Sequence, residues 1–211
     1  MATAAVCPEC GHQQPPALVC AACGVVQEPP PSLDLFAAVG LPRRLQVDAA
    51  ELERRFYELS RQVHPDRFGT APAPAQAASL AATALLNRAY KVLRDPVQRG
   101  RYWLELHGEA LADESRSVPR EIAATVFEVQ ERLAELREAG AEQHELLRPA
   151  LQDDLRRLDE RRAACSQRLD ELFQTAAPPP DRLKALLAEI AYLTTLARNV
   201  QAGLDVERHE S

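Results

Sequence analysis

No apolar run in this 211-residue chain approaches the ~20 residues that a membrane-spanning helix needs. Residues 1–31 contain no lysine or arginine, which removes the basic n-region of a secretory signal and the Arg-rich pattern of a transit segment. Strand-like alternation of useful length and internal repeats are both missing, so the chain should be nearly all α after residue 31. An excess of positive charge is lacking as well: the net charge is −6, which argues against a dominant nucleic-acid role. No Ser or Cys nucleophile motif accompanies a histidine, so no enzyme is expected. What remains is a globular composition, 46% hydrophobic and 27% charged, long enough for one or two cores.

The charge is unevenly spread. Residues 32–108 carry 11 basic and 8 acidic side chains, whereas residues 113–174 carry 10 and 15. A basic middle beside an acidic C-terminal part suggests two surfaces for two partners. Four of the five cysteines fall within the first 23 residues. They form the pairs Cys7-x-x-Cys10 and Cys20-x-x-Cys23, with nine residues between. A tight turn lets both sulfurs of a pair reach one ion, and Gly11 and Gly24 suit that turn. Four thiolates saturate tetrahedral zinc and leave no open position, so a structural zinc site is expected. A rubredoxin-like iron site is the alternative, while disulfides and a redox pair fit a reducing compartment and a non-βαβ context poorly. His12 is a bystander in this reading, and Cys165, on an apolar helical stripe, is an inert buried thiol. About 30 residues cannot build a core alone, so the metal would supply the folding energy.

Glu28-Pro29-Pro30-Pro31 reads as an extended spacer. Leu52, Phe56, Leu59 and Val63 then mark one face of a helix over about 49–63, with Asp48 as N-cap. Arg54 and Arg61 lie opposite that face, with Arg55 on its flank. Pro65 disfavours helix at His64, so His64-Pro65-Asp66 is expected on an exposed loop beside a basic face. A loop is expected over Ala71–Ala75. A second helix carries Leu86, Ala89, Tyr90 and Leu93 and closes at Asp95-Pro96; a short one runs through Arg99, Tyr102, Trp103 and Leu106.

Two runs of residues carry a resemblance. They are Tyr57-x-Leu59-x-x-x-x-His64-Pro65-Asp66 and Leu86-Asn87-x-Ala89-Tyr90-x-Val92-Leu93-x-Asp95-Pro96-x-x-Arg99-x-x-Tyr102. They resemble the J domain of DnaJ-type co-chaperones. The resemblance implies binding to a DnaK-type chaperone and stimulation of its ATPase through His64, Pro65 and Asp66. Arg61, Arg67 and Arg55 would add electrostatic contacts. General J domains carry Lys or Arg where Tyr57 and Glu58 stand, which implies a specialised chaperone partner.

From about residue 119 to 204 the pattern is long amphipathic helix, with breaks expected at Gly140, Pro149 and Pro178-Pro179-Pro180. The stripes are Ile122, Val126, Val129, Leu133 and Leu136; then Leu151, Leu155, Leu158, Cys165, Leu169 and Leu172; then Leu183, Leu187, Ile190, Ala197 and Leu204. An antiparallel three-helix bundle follows. At about 100° per residue, Phe127 falls roughly 140° from its stripe and Tyr192 roughly 180° from its own. Exposed aromatics of this kind are candidate contact anchors, and Glu128, Glu131, Glu135, Ala123 and Ala124 share the outer side with Phe127.

With Tyr102-Trp103-Leu104-x-Leu106-His107-Gly108, the cysteine quartet and the bundle, nearly the whole chain resembles the HscB family of iron–sulfur co-chaperones in its zinc-containing version. That resemblance implies a bundle that binds an IscU-type scaffold and delivers it to a DnaK/HscA-type chaperone. Its scaffold-binding segment aligns with Ile122 to Leu133, which places Phe127, Glu128 and Glu131 at contact positions. Tyr192 stands where the family has an aromatic, and Ala123 and Ala124 replace larger apolar residues. The expected modules are a zinc-binding unit and linker over 1–31, a J domain over 32–108 and a scaffold-binding bundle over 109–211. A cytoplasmic protein of bacterial origin, without nucleic-acid or membrane partners, is expected. Weak self-association is left open, as is a general J-domain co-chaperone with a different client.

Overall fold

The computed structural model describes residues 5–109, 122–175 and 178–205. The chain forms two compact units, Met1–Tyr102 and Trp103–Ser211. The first opens with two short antiparallel strands, β1 (Ala5–Val6) and β2 (Gln13–Gln14), in which Ala5 pairs with Gln14 and Val6 with Gln13. Sequence reading passes over these strands because two residues are too few to show an alternation. Helices α1 (Leu35–Ala38), α2 (Ala49–Val63) and α3 (Ala73–Arg94) follow, and α4 (Pro96–Leu106) runs past the end of this unit.

Helix α2 has the predicted bounds, for local reasons. The Asp48 carboxylate accepts from the Ala50 and Glu51 amides at 2.9 and 3.3 Å, and His64 leaves the helix at φ −58°, ψ 130° ahead of Pro65. Helix α3 begins earlier than the Pro-rich loop suggested. Ala73, Pro74 and Ala75 are its first turn, where a missing amide proton costs nothing. Helices α2 and α3 run antiparallel, since Phe56 stacks on Tyr90 with ring centroids 4.2 Å apart while Val63 meets Ser79. Leu52, Val63, Ala82, Leu86, Ala89 and Leu93 fill the seam. Phe36 of α1 is buried and stacks on Tyr102, whose hydroxyl accepts from the Leu35 amide at 2.9 Å.

The second unit is an antiparallel three-helix bundle of α5 (Ala123–Glu138), α6 (Ala141–Phe173) and α7 (Pro180–Asp205). The expected helix start near residue 119 lies outside the described residues. The break expected at Pro149 is absent: α6 runs through it. Proline removes one hydrogen bond, to the carbonyl of Glu145, and Pro149 is exposed, so water can take that carbonyl while packing on both sides holds the helix. Helix α7 buries Leu186, Leu193, Leu196 and Val200 in addition to the predicted stripe, because it packs against both α5 and α6 and needs a wider apolar face. Leu155 and Leu204, placed on the stripes by periodicity, are only half-buried.

Two acids sit inside this bundle. Asp154 of α6 is 3% exposed and pairs with Arg132 of α5 and, at 2.7 Å, with Arg157. Glu189 of α7, also buried, accepts from Arg161 of α6 at 2.9 Å. Neither the Arg132–Asp154 pair nor the Arg161–Glu189 pair is visible to a hydrophobic-periodicity reading, since the partners come from different helices. Asp154→Ala should lower stability by about 1–3 kcal/mol, because it leaves the partly buried Arg132 guanidinium without the carboxylate that ties α5 to α6. Chemical denaturation reads this directly, and an unchanged midpoint would contradict it. No described helix is long and apolar enough to cross a membrane.

Candidate functional site

The cysteine quartet is built from two like turns. The Gly11 amide donates to the Cys7 carbonyl and the Gly24 amide to the Cys20 carbonyl, each at 2.9 Å. Both glycines have positive φ, 72° and 73°, where an L side chain would be strained. The Cys7 amide donates to the His12 carbonyl and the Cys20 amide to the Val25 carbonyl, which closes each turn. Gln14, a buried residue that sequence reading missed, ties the two turns together: its amide nitrogen donates to the Val19 carbonyl at 3.2 Å and its oxygen accepts from the Ala21 amide at 2.8 Å.

All four sulfurs lie within 4.8 Å of one another, with Cys7–Cys23 and Cys10–Cys20 at 3.7 Å. That separation is too long for a disulfide. It fits a tetrahedron, whose edge is about 3.8 Å when metal–sulfur bonds are about 2.3 Å. The Cys10 amide draws the Cys7 thiol down to about 6. At Cys23 the Val25 amide also lowers the pKa, but desolvation and the neighbouring cysteines outweigh it and push the thiol up to about 12. These residues fit a tetrahedral divalent metal with no vacant position, and such an ion would supply structure rather than chemistry. His12 contributes its backbone carbonyl to the turn.

Cys165 lies elsewhere, buried on α6, and burial together with Glu189 pushes its thiol up to about 11. In a native alkylation experiment a chelator should expose the four clustered thiols, while Cys165 stays unmodified until denaturant is added. Modification of Cys165 in the folded protein would contradict its placement.

His64 and Asp66 are exposed at the end of α2, and Pro65 opens a single 3₁₀ turn, Pro65–Phe68. His64 Nδ1 accepts from the Asp66 amide at 3.3 Å and lies 3.5 Å from Asp66 Oδ2. The three basic residues behave differently. Arg61 is exposed with no ion-pair partner among the described residues. Arg55 is half-buried, donating to the Gly40 carbonyl at 2.6 Å and pairing with Glu51 at 2.8 Å. Arg67 turns back onto α2 and donates to the carbonyls of Arg61, at 2.9 Å, and Gln62, at 3.3 Å. Tyr57 is 57% exposed beside them.

On α5, Phe127 is 63% exposed, and Ala123, Ala124, Glu128, Glu131 and Glu135 are exposed with it. On the helical wheel, Ala123 and Ala134 lie within about 40° of Phe127, and the three glutamates follow one edge. Glu128 and Glu135 flank Arg132, whose guanidinium is held above its ordinary pKa first by Asp154 and then by these two acids. Tyr192 differs from the expectation of full exposure. It is half-buried and lines, with Gln130, Thr195 and Asn199, a shallow groove of about 260 Å³ between α5 and α7.

The described residues define a mainly α protein with a cysteine-clustered N-terminal unit, helices that hold a His-Pro-Asp turn and a three-helix bundle. In particular, the chain is similar to HscB. The human co-chaperone protein HscB matches it at 26% identity and a TM-score of 0.73, over 94% of this chain and 98% of that one. The chaperone HscB from Vibrio cholerae matches in fold at 22% identity and a TM-score of 0.60, over 80% of this chain and 96% of that one. No family model matches the chain.

Proposed function

We propose that the protein is a two-handed co-chaperone. Its bundle binds an IscU-type iron–sulfur scaffold through Phe127, Tyr192, Ala123, Ala124, Glu128, Glu131 and Glu135. Its J domain, over 32–108, presents His64, Pro65 and Asp66 to a DnaK/HscA-type chaperone and stimulates ATP hydrolysis there. The observation that carries this reading is one exposed His-Pro-Asp turn and one exposed Phe127 on an acidic edge, in a chain similar nearly end to end to human HscB. Arg61 is the cation free to steer the chaperone, and Arg55 and Arg67 support the surface from their internal contacts. Joining both partners on one chain raises the effective concentration of scaffold at the chaperone. Co-purification tests the client: recovery of an IscU-like scaffold supports the reading, and its absence favours a general J-domain co-chaperone with a different client.

The metal of the quartet is zinc in this reading, held by Cys7, Cys10, Cys20 and Cys23 in a reducing, cytoplasmic setting. Zinc binding to such small units supplies about 10–16 kcal/mol that is folding free energy. One equivalent of zinc per chain should vanish on Cys7→Ser with Cys10→Ser. Backbone amides of residues 5–27 should then lose hydrogen-exchange protection while the helices keep theirs. Full metal content in that variant would contradict the assignment.

A further inference from the structure

The end of α2 has three carbonyls that the helix itself cannot satisfy. A helix leaves its last four carbonyls without intrahelical partners. Here Pro65 has no amide proton for Arg61, the Asp66 amide goes to His64 Nδ1, and the Arg67 amide goes to the His64 carbonyl at 3.1 Å. Side chains take all three. Arg67 holds the carbonyls of Arg61 and Gln62. Two hydroxyls of α3 converge on Val63: Ser79, 0% exposed, donates at 2.6 Å, and Thr83 donates at 3.1 Å. Val63 is itself fully buried and immediately precedes His64. Its carbonyl fixes the direction in which the chain leaves the helix, and therefore where the His64 ring and the Asp66 carboxylate stand. The turn itself is held by the His64–Asp66 contacts, by its 3₁₀ hydrogen bond and by Arg67 reaching back to the end of α2.

We infer that Ser79 and Thr83 are positioning residues for the His64-Pro65-Asp66 turn, aligning it from α3 without touching the chaperone themselves. This rests on the co-chaperone reading for its functional consequence. An unaligned trigger should still dock, because exposed Arg61 is untouched, yet act poorly once docked, since small misplacements are costly to positioned chemistry.

The test uses the full chain with Ser79→Ala, Thr83→Val, the double variant, and Thr83→Ser in the Ser79→Ala background. ATPase stimulation of a DnaK-type chaperone is titrated, and hydrogen exchange of the Asp66 and Arg67 amides is followed without chaperone. The double variant should lose roughly tenfold of maximal stimulation, with its half-stimulating concentration little changed and both amides exchanging faster. Keeping one hydroxyl, as Ser at position 83, should restore most of the maximum. The single variants remain readable if the double variant melts below the assay temperature. Wild-type stimulation and wild-type exchange in a folded double variant would overturn the inference, as would a shift confined to the half-stimulating concentration. If the wild-type protein stimulates no DnaK-type chaperone, the co-chaperone reading fails instead, and exchange at Asp66 and Arg67 still decides whether α3 holds the turn.

Discussion

His64→Gln is expected to abolish stimulation of a DnaK-type chaperone while leaving the fold intact. The side chain is exposed and its polar contacts are with Asp66 of its own turn, so its replacement costs little stability. Its loss removes the Nδ1 that accepts from the Asp66 amide, and it removes an exposed ring from the turn. Both effects fall on the turn, and neither reaches the seam of Phe56, Tyr90 and Leu86 between α2 and α3. Thermal melting should therefore superimpose on that of the unaltered protein while the ATPase response disappears. The opposite pattern would follow if His64 served only to cap the 3₁₀ turn: lower melting temperature with stimulation retained.

The second large effect is expected at the bundle. Phe127→Ala with Tyr192→Ala should weaken binding of an IscU-type scaffold by two orders of magnitude or more, since a buried aromatic anchor is worth about 2–4 kcal/mol at an interface. Phe127 is 63% exposed and gives nothing to the bundle core, so its removal should not lower stability. Tyr192 is half-buried in the groove beside Gln130, so it supplies both a wall and a contact. Glu131→Lys should add a smaller loss that fades with salt, because a rim charge acts chiefly through steering. Calorimetric titration separates these outcomes: unchanged affinity in the double variant would place the client elsewhere.

How far the fold could be read in advance depends on where its determinants lie along the chain. The limits of α2 were legible because Asp48, the apolar face and Pro65 are local signals. The cysteine turns were legible for the same reason, since spacing and glycine placement sit within five residues of each other. Pro149 misled because a proline's effect depends on whether neighbours hold the helix, and that is a tertiary fact. The extra buried face of α7 needed knowledge that it packs against two helices. Asp154 and Glu189 were out of reach because Arg132 and Arg161 are distant in sequence, and Gln14 because it bonds backbone groups, which leave no side-chain signal. The same holds for Ser79 and Thr83, which read as ordinary polar residues until Val63 is seen against them. Of the surfaces, Phe127 was found by its wrong phase on the wheel, and Tyr192 by the same logic, although the groove shelters it more than phase alone implies.

The account stands or falls on one chain coupling two partners. The most direct measurement is the steady-state ATPase rate of a DnaK-type chaperone with this protein, with and without an IscU-type scaffold, comparing the unaltered chain with Phe127→Ala, Tyr192→Ala. The account predicts that scaffold and protein together stimulate more than their separate effects combined, and that the double variant loses this synergy but keeps its scaffold-free stimulation. Synergy that persists in the double variant, or a scaffold that adds nothing to the unaltered protein, would contradict it.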